Sequence, residues 1–212
     1  MNLKTEDYLG KYIVIEGPDF AGKDTHCRML VDWLEDEGYD VLFIREPGTG
    51  LLGDKIRKIL LDIKHTFLSA DAEMLLFMAN RAQIRDEFIL PALKKGQIIV
   101  CSRDKTSTLA YQGYGRGLSL EAIQSIGDYA LGGLVPNLYL VLLKSLDRLL
   151  EWRGNSLDRI EKEDKDFWAR VWQGYRDFID QNPDIAREIE AGRTIEEVHE
   201  SIKSEVKKLL LK

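Results

Sequence analysis

Apolar residues are spaced in two ways along this chain. Unbroken runs at Tyr12–Ile15, Val41–Ile44, Ile98–Cys101 and Leu138–Leu143 have the length and the β-branched content of strands buried on both faces. The segments between them repeat their apolar positions every three or four residues, the period of a helix with one buried face. Cys27, Leu30, Val31 and Leu34 form such a stripe soon after the first run. Ala70–Leu93 predicts a long helix with Met74, Leu75, Met78 and Ala82 on one side and Pro91 near its end, and Leu120–Leu131 and Asp164–Ile179 predict two more. A last helix spans Thr194–Leu211, where Thr194 followed by Glu197 has the capping-box pattern. A short fifth strand is expected near Ala186–Ala191. Strands and helices in alternation predict an α/β fold, a central parallel sheet of about five strands flanked by helices.

Composition adds bounds to this picture. In 212 residues, 44% hydrophobic and 31% charged, no Gly/Ser/Pro-rich linker interrupts the chain, so residues 1–212 read as a single domain. No apolar run approaches the roughly 20 residues that cross a bilayer, and the opening MNLKTEDYLGK lacks the apolar core of a secretory signal. A cytoplasmic protein with no membrane partner is expected. The formal charge of −6 argues against a protein that coats nucleic acid, so an anionic partner should be small and held locally. Cys27 and Cys101, in apolar surroundings, read as reduced core residues, and His26, His65 and His199 lack metal-ligand spacing.

The candidate chemistry begins at "GPDFAGKDT", between the first strand and the first helix. Gly17, Pro18 and Asp19 open this loop, Phe20 and Ala21 continue it, and Gly22, Lys23, Asp24 and Thr25 lead into the helix. It is nearly the phosphate-binding pattern Gly-x-x-x-x-Gly-Lys-Ser/Thr, in which backbone N–H groups and a helix N-terminus converge on phosphate oxygens and the lysine reaches the β- and γ-phosphates. Asp24 stands where the pattern has a hydroxyl for Mg²⁺. "REPG" (Arg45–Gly48) ends the second strand, "FMANR" sets Phe77 and Arg81 four residues apart on one helix face, and "SRDKTSTLAYQGYGRG" (Ser102–Gly117) follows the third strand. "SLDRLLEWRGNSLDRIEKED" suits a helix-turn-helix lid, at about residues 147–163, or an ordinary charged connection.

In this order the motifs "IEGPDFAGKDT", "REPG", "LLFMANRAQ", "STLAYQGYGRGL", "RG" with "DRIE" (Arg153–Glu161) and "TIEEV" resemble the thymidylate kinase family of P-loop nucleoside monophosphate kinases over most of the chain. The resemblance implies a P-loop NTPase-type three-layer fold with a small lid and transfer of the γ-phosphoryl group of ATP to dTMP, with Mg²⁺, in a homodimer. Carried over, it implies that Phe77 stacks on thymine and Arg81 hydrogen-bonds it. Ser107, Tyr111 and Gln112 belong to the nucleoside pocket, Arg45 and Arg103 grip the acceptor phosphate, and Asp19 meets the sugar 3′-hydroxyl. With Phe20 in the loop instead of arginine, Lys23 and Arg103 are joined by Arg153 and Arg159 of the lid as the catalytic cations. Three positions depart from the family pattern: Asp24 replaces the loop Ser/Thr, Ser102 the aspartate of an Asp-Arg-Tyr run, and Asp104 its tyrosine. A swap in which Asp24 brings the carboxylate and Ser102 the hydroxyl keeps the metal site's oxygen count and charge. The departures leave two alternatives open: another deoxynucleotide or a deoxynucleoside as acceptor, with Glu46 as base in the latter case, or a catalytically silent nucleotide-binding protein.

Overall fold

Five strands, β1 (Lys11–Glu16), β2 (Val41–Arg45), β3 (Ile98–Ser102), β4 (Leu138–Leu143) and β5 (Ala186–Glu190), pair in parallel in the order β2-β3-β1-β4-β5. The computed structural model describes residues 3–65, 67–151 and 158–211. The helices are α1 (Lys23–Asp36), α2 (Gly50–Leu61), α3 (Ala70–Ile84), α4 (Leu90–Lys95), α5 (Lys105–Thr108), α6 (Leu120–Leu131), α7 (Leu146–Glu151), α8 (Lys165–Gln181) and α9 (Ile195–Leu210).

The central strand shows why the apolar runs are unbroken. Tyr12 and Val14 of β1 pack on one face with Ile84, Trp168, Val171 and Tyr175, while Ile13 and Ile15 pack on the other with Cys27, Leu30, Leu34 and Ile202. Burying each large apolar side chain contributes about 1.5–3 kcal/mol, so both faces require apolar residues. Cys27 and Cys101 are buried free thiols in these two layers, as expected.

Two helical expectations change. The long helix expected over Ala70–Leu93 is α3, a π-helical stretch (Arg85–Ile89) and α4 in succession. Pro91 has no N–H, and its ring would meet the carbonyl four residues back in an unbroken α-helix; the wider π turn relieves both problems. Leu75 is 51% exposed, whereas Met74 and Met78 pack against Ile123 and Ala130 of α6. The apolar pattern does not mark α2: only Gly53, Ile56 and Leu60 of it are buried, and Leu51 is exposed, which blurs the stripe. Of the expected lid, α7 and the turn after residue 158 are described, while Arg153 lies outside the described residues.

The strand order also locates a crevice. From β1 the chain crosses to β2 beyond β3, and from β3 it crosses to β4 on the other side of β1. Open parallel sheets bind ligands where such connections diverge, beyond the carboxyl ends of the strands. Ile15 and Arg45 are both in register with Ser102, so β1, β2 and β3 end level at that edge.

Candidate active site

The loop after β1 turns in a space that excludes side chains. Gly17 has φ +136°, and a Cβ there would stand 2.3 Å from the Leu142 carbonyl oxygen. The turn ends at Gly22, whose φ of +88° lets Lys23 begin α1. Lys23 is buried and donates to the Pro18 carbonyl at 2.6 Å, with Asp19 3.9 Å away. Burial, with the nearby charge of Arg103, lowers its pKa to about 8.

Arg103 leaves β3 with φ +71°, a left-handed conformation that costs a bulky residue about 1 kcal/mol or more. Its N–H donates to the Ile15 carbonyl at 3.1 Å, and its guanidinium bonds the Asp19 carboxylate and, at 3.0 Å, the Ser107 hydroxyl. It lies over the Tyr111 ring, and the Tyr111 hydroxyl donates to Asp19 at 2.8 Å. Burial would raise the Asp19 pKa, but the charges of Arg103 and Lys23 outweigh it and hold the carboxyl below its usual range.

Two of the three residues that depart from the family pattern are in contact. The Ser102 hydroxyl donates to Asp24 Oδ1 at 3.0 Å, and Arg45 pairs with Asp24 Oδ2 at 3.0 Å. Asp104 turns under the loop, wholly buried, where it caps α5 by accepting from Thr106 N–H and accepts from the Tyr139 hydroxyl, both at 2.7 Å. The Asp104 side chain is therefore spent on internal bonds.

Phe77 and Arg81 face the loop from α3. Arg81 is 1% exposed and donates to Glu46 at 2.8 Å and to Thr108 at 3.3 Å. Burial lifts the Glu46 pKa to about 7 against the pull of Arg81. Gln112, equally buried, donates to Glu73 at 2.6 Å from a π-helical stretch, Leu109–Gly115. A cavity of about 320 Å³ brings most of the expected residues together: Asp19, Phe20 and Gly22 to Thr25 of the loop, with Arg45, Phe77, Arg81, Ser102, Arg103, Ser107, Tyr111 and Gln112, contribute to its walls, while Gly17, Pro18 and Ala21 do not.

Arg159 is held elsewhere. It bonds the Leu60 carbonyl at 3.1 Å and the Glu73 carboxylate, while its neighbours Asp158, Ile160 and Glu161 line the cavity. Sequence reasoning missed Arg57, which reaches the cavity from α2 and donates to the Pro47 carbonyl at 2.9 Å. It also missed Glu16, which accepts from Asp104 N–H at 2.7 Å and from the Ser107 and Tyr175 hydroxyls at 2.7 and 3.0 Å. Burial and the charge of Asp104 raise the Glu16 pKa to about 7. A signal for it was present: a lone carboxylate closing an apolar strand just before a glycine turn.

A glycine turn at the carboxyl edge of a parallel sheet, with a buried lysine and arginines facing an aromatic and amide wall, defines a P-loop phosphotransferase. Comparison with known proteins narrows the class. The family described as thymidylate kinase matches residues 15–202. A thymidylate kinase of Pelotomaculum thermopropionicum is 42% identical over 195 residues, covering 90% of this chain and 89% of that protein. One of Exiguobacterium is 37% identical over 196 residues, covering 91% and 92%. The crystal structure of thymidylate kinase from Ehrlichia chaffeensis superposes with a TM-score of 0.78 at 27% identity, covering 93% of this chain and 98% of that one. The chain belongs to the thymidylate kinase family.

Proposed function

We propose that this protein transfers the γ-phosphoryl group of ATP to dTMP, giving ADP and dTDP. One observation carries the reading: the phosphate-binding loop and the wall formed by Phe77, Arg81 and Gln112 border the same cavity, so two phosphorylated compounds can meet there end to end. The acceptor's second phosphate pKa is about 6, so at neutral pH it is largely dianionic and needs no base to become a nucleophile. One of its oxygens attacks the γ-phosphorus in line, and the β–γ bridging oxygen leaves with the bonding pair. The protein has to align the two and place positive charge around the transferring group.

Each residue then has a task. Backbone N–H groups from Gly22 onward and the Lys23 ammonium hold the donor phosphates, and Arg45 and Arg103 grip the acceptor phosphate. Asp19 orients Arg103 and meets the sugar hydroxyl. Phe77 stacks on the base, Arg81 and Gln112 bond its polar edge, and Tyr111 closes the pocket. Ser107, bonded to both Arg103 and Glu16, keeps the arginine aimed. Arg153 and Arg159 are proposed as cations brought by the lid; for Arg159 that role requires exchange of its bond to Glu73 for a phosphate.

Among the described residues no group of three or more Asp, Glu, His or Cys could hold a metal ion. Mg²⁺ carried by nucleotide phosphates needs only one or two protein oxygens, and the Asp24 carboxylate and Ser102 hydroxyl are oxygen donors of that kind in one cavity wall. When bound, the ion would neutralise charge on the β- and γ-phosphates. Asp24→Ser is expected to lower Mg²⁺-dependent turnover by about tenfold or more, and Ser102→Asp added to it to restore most of the loss. Higher activity in the single variant would sink the swap.

The same reading includes a cytoplasmic homodimer. No helix among the described residues is long and apolar enough to cross a membrane, and the exposed Leu75 of α3 and Tyr129 of α6 support a surface between copies. A product screen across nucleosides and nucleoside monophosphates tests the activity. ATP and Mg²⁺ should yield dTDP from dTMP in preference to other products; a preferred nucleoside acceptor, or binding of both substrates without turnover, would refute it.

A further inference from the structure

Glu73 stands behind the cavity wall, in the first turn of α3, with its side chain wholly buried. Glu73, Phe77 and Arg81 are spaced four apart, on one face of the helix. Its Oε1 accepts from Gln112 Nε2 at 2.6 Å and from Arg116 Nε at 2.7 Å, and its Oε2 accepts from Arg116 Nη2 at 3.1 Å and from Arg159. Burial acts to raise its pKa, but the Arg116 pairing, with the bonds from Gln112 and Arg159, holds the group below its usual range. It is therefore a carboxylate, which accepts hydrogen bonds and cannot donate them. The Gln112 amide has to meet it with nitrogen, which leaves the carbonyl for the opposite side. Gln112 lines the cavity beside Arg81, a side chain that can only donate.

We propose that Glu73 is a positioning residue for base selectivity: by holding the Gln112 amide nitrogen, it turns the Gln112 carbonyl oxygen toward the base. With Arg81 alongside, the cavity then matches a pyrimidine edge that carries a ring N–H next to a carbonyl, and it opposes one that carries a bare ring nitrogen next to an amino group. The inference rests on the reading of the acceptor as a thymine nucleotide. Arg116 and Arg159 share the carboxylate, and Arg116 also bonds Glu163 at 2.8 Å, so the same group ties the base wall to the segment around residues 158–163.

The test compares kcat/KM for dTMP and dCMP in the full-length wild type, Glu73→Gln and Glu73→Asp, with a thermal melt of each. In Glu73→Gln the new amide can donate to the Gln112 carbonyl, and Gln112 is free to turn. The dTMP-to-dCMP ratio is expected to fall about tenfold or more, with KM for dTMP rising. Glu73→Asp keeps an acceptor-only group and should hold the ratio within about threefold. An unchanged ratio in folded Glu73→Gln overturns the inference. A wild type inert toward dTMP instead removes the functional reading on which it rests. If Glu73→Gln does not fold, hydrogen exchange of the Gln112 side-chain amide, followed by NMR in the wild type, decides. Slow exchange supports the contact with a buried carboxylate, and fast exchange with free rotation overturns it.

Discussion

Lys23→Met is expected to lower kcat by roughly 10²–10³-fold, the loss typical when one preorganised donor is removed from developing transition-state charge. Methionine nearly matches the lysine stem in volume, and the glycines at residues 17 and 22 that shape the loop are untouched, so the fold should persist. Calorimetry should find dTMP affinity within a few-fold of wild type, because Arg45 and Arg103 are retained. A kcat within about tenfold of wild type would remove Lys23 from the transferring phosphoryl group. The wild-type pH profile offers an independent check. Buried Lys23 has a pKa of about 8, so the charged form is lost above that pH and kcat/KM, which reports the free enzyme, should fall there. Bound phosphates favour the ammonium, so kcat should hold to higher pH.

Arg103→Ala is expected to abolish measurable turnover and to destabilise the fold by about 1–3 kcal/mol, because it strips the charged partner from a half-buried carboxylate. Among the described residues Asp19 would keep Lys23, at 3.9 Å, and the Tyr111 hydroxyl. Arg103→Lys separates the two effects: charge is kept, so much of the stability should return, but the fork that spans Asp19 and Ser107 is lost, and activity should stay low. The stability gap depends on pH with a definite sign. The folded pKa of Asp19 lies below its unfolded value of about 3.9, so its contribution is full above that value and lost as pH falls through the folded pKa. The gap between wild type and Arg103→Ala, measured by denaturant melts, should therefore narrow below about pH 4. A gap that widens there would place the stabilisation elsewhere.

The strands were legible because burial on both faces demands unbroken apolar residues, a demand met within a few neighbours along the chain. So were the glycine turn, which needs φ above zero at Gly17 and Gly22, and the capping box at Thr194 and Glu197. The helix α2 was not, since it buries little beyond Gly53, Ile56 and Leu60, and Arg57 went unseen with it. The interruption between α3 and α4 could have been read from Pro91, whose missing N–H an unbroken helix cannot absorb.

The partners of the polar side chains lay beyond such reading. Ser102 and Asp24 are 78 residues apart, and Tyr111 and Asp19 are 92, yet each pair is hydrogen-bonded. Local pattern could nominate Arg81 and Gln112 for a pocket; packing decided that Glu46 and Glu73 hold them there, and that Arg159 is bound to Glu73. The reason is physical. Hydrophobic burial leaves a period along the chain, because every turn of helix or pair of strand residues meets the same layer. A buried hydrogen bond leaves no period, since its donor and acceptor are matched only when distant strands and helices come to rest at one sheet edge.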